Sequence, residues 1–144
     1  MFQKFALLFF LSVSTYSYSY SGKVDTWAIY FNDSAVNSFN SNSLKIDVVL
    51  DLSLITSNDS LKIIFKSDQP CFNCEYYYFV SDDLHRKMEI IRKRVLHQSV
   101  TFSLENLLIE QRKRGLNNYL FQMVYTDYNT MKRSGLKLLN LQFE

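Results

Sequence analysis

DQPCFNCEYYYFV, Asp68 to Val80, holds both cysteines of the chain and its only proline. Its second half decides the fold. From Glu75 to Ser81, Tyr76, Tyr78 and Val80 fall on one side of a pleated strand, and Tyr77 and Phe79 on the other. Aromatic and β-branched residues suit a pleated surface. Apolar groups on both sides predict a central strand that packs on both faces.

Working toward the N-terminus, period-2 alternation persists. Leu61, Ile63 and Phe65 alternate with Lys62 and Lys66, after a loop at Thr56-Ser57-Asn58-Asp59-Ser60. Leu44, Ile46, Val48 and Leu50 alternate with Lys45, Asp47 and Asp51, and Leu52 and Leu54 continue the phase. Both segments read as strands with one wet face. Trp27, Ile29 and Phe31 share one face of a first strand, which Asn32-Asp33-Ser34 ends with turn chemistry. Val36 and Phe39 suggest a short strand in the polar stretch that follows.

Toward the C-terminus, Asp82 to His97 reads two ways. Leu84, Met88, Ile91 and Val95 recur at helical spacing. Alternatively, Ser81 to Arg86 is a hairpin loop and Lys87 to Arg94 the returning strand. The hairpin is preferred, because antiparallel strands pair through a short loop. Gln98 to Phe102 reads as a strand. Ser103 as cap, Leu104, Leu107 and Leu108, the basic Arg112-Lys113-Arg114 and then Gly115 predict a helix over 103–114. Asn118 to Thr126 alternates as a strand, and Asp127 to Gly135 is a polar turn. The apolar phase slips between Leu138 and Leu139 in the last strand, which predicts a bulge.

Strand follows strand without the helices that a parallel sheet requires. The fold class is therefore all-β: an antiparallel β-sandwich of seven to eight strands with Greek-key, immunoglobulin-like connections and one short helix. A closed β-barrel is the alternative.

Residues 1–21 have the order of a secretory signal peptide: Lys4, an apolar run from Phe5 to Val13, and small residues at Ser19 and Ser21. Cleavage after Ser21 (Ser19 is close behind) leaves residues 22–144, one domain of 144 − 21 = 123 residues. No later segment is apolar and long enough to span a membrane. The expected location is secreted or periplasmic. In such an oxidising compartment Cys71 and Cys74 are expected to form a structural disulfide. A dithiol redox centre needs a thiolate at a helix N-terminus, and a strand-like run follows Cys74 instead. A zinc site needs four ligands, and the candidates beyond the cysteines are His85 and His97, twelve residues apart.

Three glycines leave no room for a phosphate-cradling loop, and no cofactor is implied. No GxSxG nucleophile elbow is present. Asp47 and Asp51 lie on a wet strand face. Trp27, Tyr76, Tyr77, Tyr78 and Tyr125 could form a stacking platform, but strand register favours core packing. Asn32-Asp33-Ser34 and Asn58-Asp59-Ser60 match the glycosylation sequon.

Formal charge is +2, unevenly spread. Residues 1–81 carry five Lys against seven acids (−2); residues 82–144 carry eleven Lys and Arg against seven acids (+4). The candidate anion- or partner-binding residues are Arg92, Lys93, Arg94, Arg112, Lys113 and Arg114; Arg86-Lys87 and Lys132-Arg133 are further basic pairs. The competing reading is a solvated edge that resists sheet-to-sheet pairing. No nucleic acid is expected as a partner. The reading that follows is a secreted, non-catalytic module for a protein or glycan partner. A small secreted hydrolase using His85, His97 or an acidic pair is one alternative, and a CxxC thiol-disulfide redox factor another.

Overall fold

The structure is a computed structural model that describes residues 22, 24–94 and 99–144. The signal-peptide segment, and His97 with it, lie outside the described residues. Among the described residues, nine strands and one α-helix run in the order β1 (Asp25–Phe31), β2 (Ser34–Asn40), β3 (Asp47–Leu50), β4 (Ser60–Ser67), β5 (Cys74–Asp82), β6 (Lys87–Lys93), β7 (Val100–Ser103), α1 (Glu105–Arg114), β8 (Asn118–Asp127) and β9 (Lys132–Phe143). They form a four-stranded sheet, β2-β1-β4-β7, and a five-stranded sheet, β3-β9-β8-β5-β6. This is a β-sandwich, and neither sheet closes into a barrel.

Alternation places Trp27, Ile29, Leu61, Ile63, Phe65 and Phe102 of the first sheet against Tyr76, Tyr78, Val80, Phe121 and Met123 of the second in one buried cluster. Phe102 and Phe121 meet edge-on, centroids 5.0 Å apart and planes at 89°, a favoured aromatic geometry. In β8–β9 pairing Phe121 faces Leu139 while Gln122 faces Lys137, so Leu138 is the extra residue of a bulge. The phase slip in the sequence has this cause, and both leucines are fully buried. The bulge turns the Leu138 carbonyl toward the other sheet, where it accepts the Trp27 indole N–H at 2.6 Å.

Several expectations change in detail. β3 pairs with β9 in parallel, the exception among otherwise antiparallel ladders. The strand expected from Leu44 is shorter, and Leu44 is fully exposed. Leu52–Leu54 is a single 3₁₀ turn, because the Asp51 carboxylate accepts the Ser53 N–H at 2.8 Å and closes the chain on itself. The helix starts at Glu105 with Leu104 at the cap position and no side-chain cap; the Ser103 hydroxyl reaches only the Glu105 N–H, at 3.3 Å. Burial of Leu104, Leu107 and Leu108 holds this end instead. Gly115 stops the helix as expected, at φ +69°, where a side chain would strain the backbone.

β5 lies between β8 and β6, but only one of its faces enters the core; Tyr77 and Phe79 are half-buried on the outer face. The hairpin after β5 is confirmed. The Asp82 carboxylate accepts the Leu84 and Arg86 backbone N–H groups at 2.9 and 3.0 Å and the Arg86 Nε at 2.7 Å. His85 takes the left-handed conformation, φ +60°, within that turn. Met88 is the extra residue of a second bulge, since Val80 faces Glu89 while Ser81 faces Lys87.

Edges are blunted in different ways. β3 and β7 are four residues long, and β6 carries charges and a bulge. β2 has no charged residue; instead Asn37 Oδ1 takes the Ser38 N–H at 2.8 Å and Ser43 Oγ takes the Asn40 N–H at 2.9 Å. Both devices remove free pairing groups. Trp27→Phe should remove the inter-sheet bond and leave a buried carbonyl unpaired, costing about 1–3 kcal/mol. The urea midpoint should fall at unchanged m-value.

Candidate functional site

Cys71 and Cys74 are joined, with Cα atoms 5.6 Å apart. The closed loop acts as a clamp on the β8–β9 turn. Its Asn73 carbonyl accepts the Tyr128 N–H at 3.0 Å, and its Asn73 side chain donates to Asn129 Oδ1 at 2.9 Å. The Tyr76 hydroxyl donates to the Cys71 carbonyl at 3.3 Å. Among the described residues, the one group close enough to share a metal ion is Cys71, Cys74 and Asp127. Its sulfurs are bonded to each other, and the Asp127 oxygens accept the Asn129 N–H (2.8 Å) and the Thr130 hydroxyl (2.9 Å). His85 is not part of it.

The clamp positions a charge network that sequence reasoning missed. Glu75, 5% exposed, begins the outer face of β5. Its Oε2 accepts the Tyr77 hydroxyl at 2.6 Å and the Tyr128 hydroxyl at 2.8 Å. Its Oε1 faces the Arg92 guanidinium through Nε and Nη2. The Tyr77 bond, together with Tyr128 and Arg92 and against the opposing effect of burial, holds the Glu75 carboxyl at about 2 instead of 4.5. The same bonds raise the Tyr77 and Tyr128 hydroxyls, which serve as donors. A glutamate opening an otherwise apolar strand was the available signal.

The basic residues separate. Arg92 is spent on Glu75; Lys93 is half-buried and faces Tyr76 across the ladder; Arg94 lies beside Phe72, Asn73 and Tyr128. Arg112 is exposed. Lys113 and Arg114 instead meet Arg86 and Lys87, in a groove of about 580 Å³ between α1 and the β5–β6 hairpin. Arg86 is held by Asp82 and Arg114 by Glu110, at 3.1 Å. Lys87 and Lys113 have no carboxylate partner among the described residues. Met88 and Ile109 line the same groove.

Lys87 also borders a second depression, on the outer face of the five-stranded sheet. Tyr77, Phe79, Ile90, Val124 and Arg133 line this space of about 360 Å³. Lys87 Nζ sits 4.8 Å from the Phe79 ring centroid. The stacking platform does not form: Trp27, Tyr76 and Tyr78 are in the core, and of the five aromatics Tyr77 alone lines this depression.

A third cleft, about 400 Å³, gathers Asp47, Asp82, Asp83 and His85 with Asn118 and Asn140. It brings together the acids and histidine that a hydrolase would use. Yet Asp82 is fully engaged by the hairpin, Asp47 accepts the Asn140 amide at 2.7 Å, and no Ser, Thr or Cys lines the cleft. The nucleophile–base pair of acyl-transfer chemistry is not assembled there. No family model matches the chain, and neither a curated protein nor a solved structure matches it significantly.

Because the folded-state value of Glu75 lies below its unfolded value, its network stabilises the fold fully above about pH 4.5 and is lost as pH falls toward 2. Glu75→Gln should lower stability at pH 7 and flatten the decline between those pH values, read from urea midpoints. Asp82 and Asp127, also lowered, should leave a residual slope. Replacing Cys71 and Cys74 together by Ser should cost about 2 kcal/mol through the chain-entropy effect of a short loop. Loss of order at Tyr128, followed by its amide exchange, should accompany it.

Proposed function

We propose that the protein is an exported, non-catalytic binding module that captures an acidic, partly apolar polypeptide segment of a partner in the groove between α1 and the β5–β6 hairpin. Four cations from two separate basic tracts border one groove, with Met88 and Ile109 supplying apolar contact; that convergence carries the reading. Arg86 and Arg114 are pre-oriented by Asp82 and Glu110, so little ordering is lost when a ligand binds. Lys87 and Lys113 offer charge not already neutralised. A purely saccharide chain would leave the apolar groups unused, which favours polypeptide over glycan.

Export is supported by the signal-like order of residues 1–21 and by the Cys71–Cys74 disulfide. Among the described residues no helix is long and apolar enough to cross a membrane.

A fluorescein-labelled peptide of alternating Glu and Leu tests the groove by anisotropy. Binding should weaken with added salt, because exposed charges are screened. Lys113→Glu should lower affinity at least tenfold with an unchanged melting temperature. Equal binding by the variant would overturn the reading, and preference for a sulfated glycan over the peptide would replace the polypeptide with a carbohydrate.

A further inference from the structure

Gly135 is the one glycine within a strand. Glycine weakens strands and marks places where the backbone turns unusually or something approaches closely. Neither applies inside this protein. Gly135 does not have positive φ, unlike Gly115. A Cβ built there would meet Val124 Cγ2 at 3.6 Å and the Met123 carbonyl at 3.9 Å, ordinary contacts. A side chain would fit, and its absence leaves open space on the outer face of β9.

That space adjoins the depression on the five-stranded sheet. Gly135 faces Val124 across the ladder, and Val124 faces Tyr77 on the next strand. The row beside it continues through Phe79 to Ile90, which is 58% exposed. An apolar strip thus crosses β8, β5 and β6, with the glycine gap at one end. Arg133, two residues from Gly135 on the same strand, has no carboxylate partner among the described residues, and neither has Lys87. Both border the depression. Glu75, the acid next to Tyr77, is already neutralised by Arg92. The strip therefore offers apolar contact and uncompensated positive charge, with no free acid lining it.

We infer that this trough is a second binding site, for a small amphiphilic anion: a compact apolar body bearing one carboxylate or sulfonate, laid on Val124, Tyr77 and Phe79 with its charge at Arg133. The space of about 360 Å³ suits a body of one or two rings or a medium-length acyl chain. The site shares Lys87 with the groove, but it stands apart from the groove reading, because Arg133, Tyr77 and Val124 line the trough alone and Gly135 adjoins it.

The test uses 8-anilinonaphthalene-1-sulfonate as fluorescent probe and decanoate as competitor on the purified folded protein. Saturable dye fluorescence displaced by decanoate is expected. Gly135→Val fills the gap with a residue that strands favour, so it should keep or raise the melting temperature while weakening dye binding at least tenfold. Arg133→Gln should weaken it comparably without moving the melting temperature. Amide shifts on titration should centre on Val124, Thr126 and residue 135. Absent saturable binding, undiminished binding in both variants, or dye that decanoate does not displace would each overturn the site. Loss of peptide binding in the groove would leave this result untouched.

Discussion

A buried hydrogen bond ties the two layers together: the Trp27 indole N–H on the Leu138 carbonyl. It exists because β9 carries a bulge. An unbroken ladder would have sent one of two consecutive leucines to solvent. The extra residue keeps both inside and leaves a carbonyl that regular pairing would have consumed. A buried carbonyl without a partner is costly, so the tryptophan is required where it stands. Trp27 also packs on Phe39 and Phe65, which places β1, β2 and β4 relative to that point.

The surface divides its charges into those that hold the molecule and those left available. Glu75, Asp82 and Glu110 are each committed to an arginine: Arg92, Arg86 and Arg114. These pairs fix a strand face, a hairpin and a helix end. Lys87, Lys113 and Arg133 remain without acids among the described residues, and they border the groove and the trough. The Glu110–Arg114 pair is largely exposed and adds little to stability, whereas the Glu75 and Asp82 carboxylates are buried, so their arginines both place their neighbours and offset the cost of burying an acid.

Much of the architecture was legible in the sequence. Alternation at Trp27–Phe31, Leu61–Phe65 and Tyr119–Met123 marks buried faces because a strand exposes one side to the core. The double leucine at 138–139 announced the bulge, and Gly115 the helix end. The parallel partner of β3 was not legible, since local alternation carries no information about which distant strand is its neighbour. The turn at Leu52–Leu54 was missed because apolar phase continued through it, while the decisive acceptor was the Asp51 carboxylate. The Glu75 network draws on Arg92 and Tyr128, 17 and 53 residues away, and no spacing rule links them. The basic tracts were visible; their division between different regions was a property of topology alone.

β9 has a consequence for the order of assembly. It is flanked by β3 on one side and β8 on the other, so it fills an interior place in its sheet while following every other described strand in sequence. Until residues 132–143 have been synthesised, β3 has no neighbour and Trp27 no acceptor. A nascent chain therefore cannot close this sandwich before β9 has emerged. Pairings so distant along the chain also make closure slow, which lengthens the time in which β3 lacks its neighbour and the Leu138 carbonyl site is unmade.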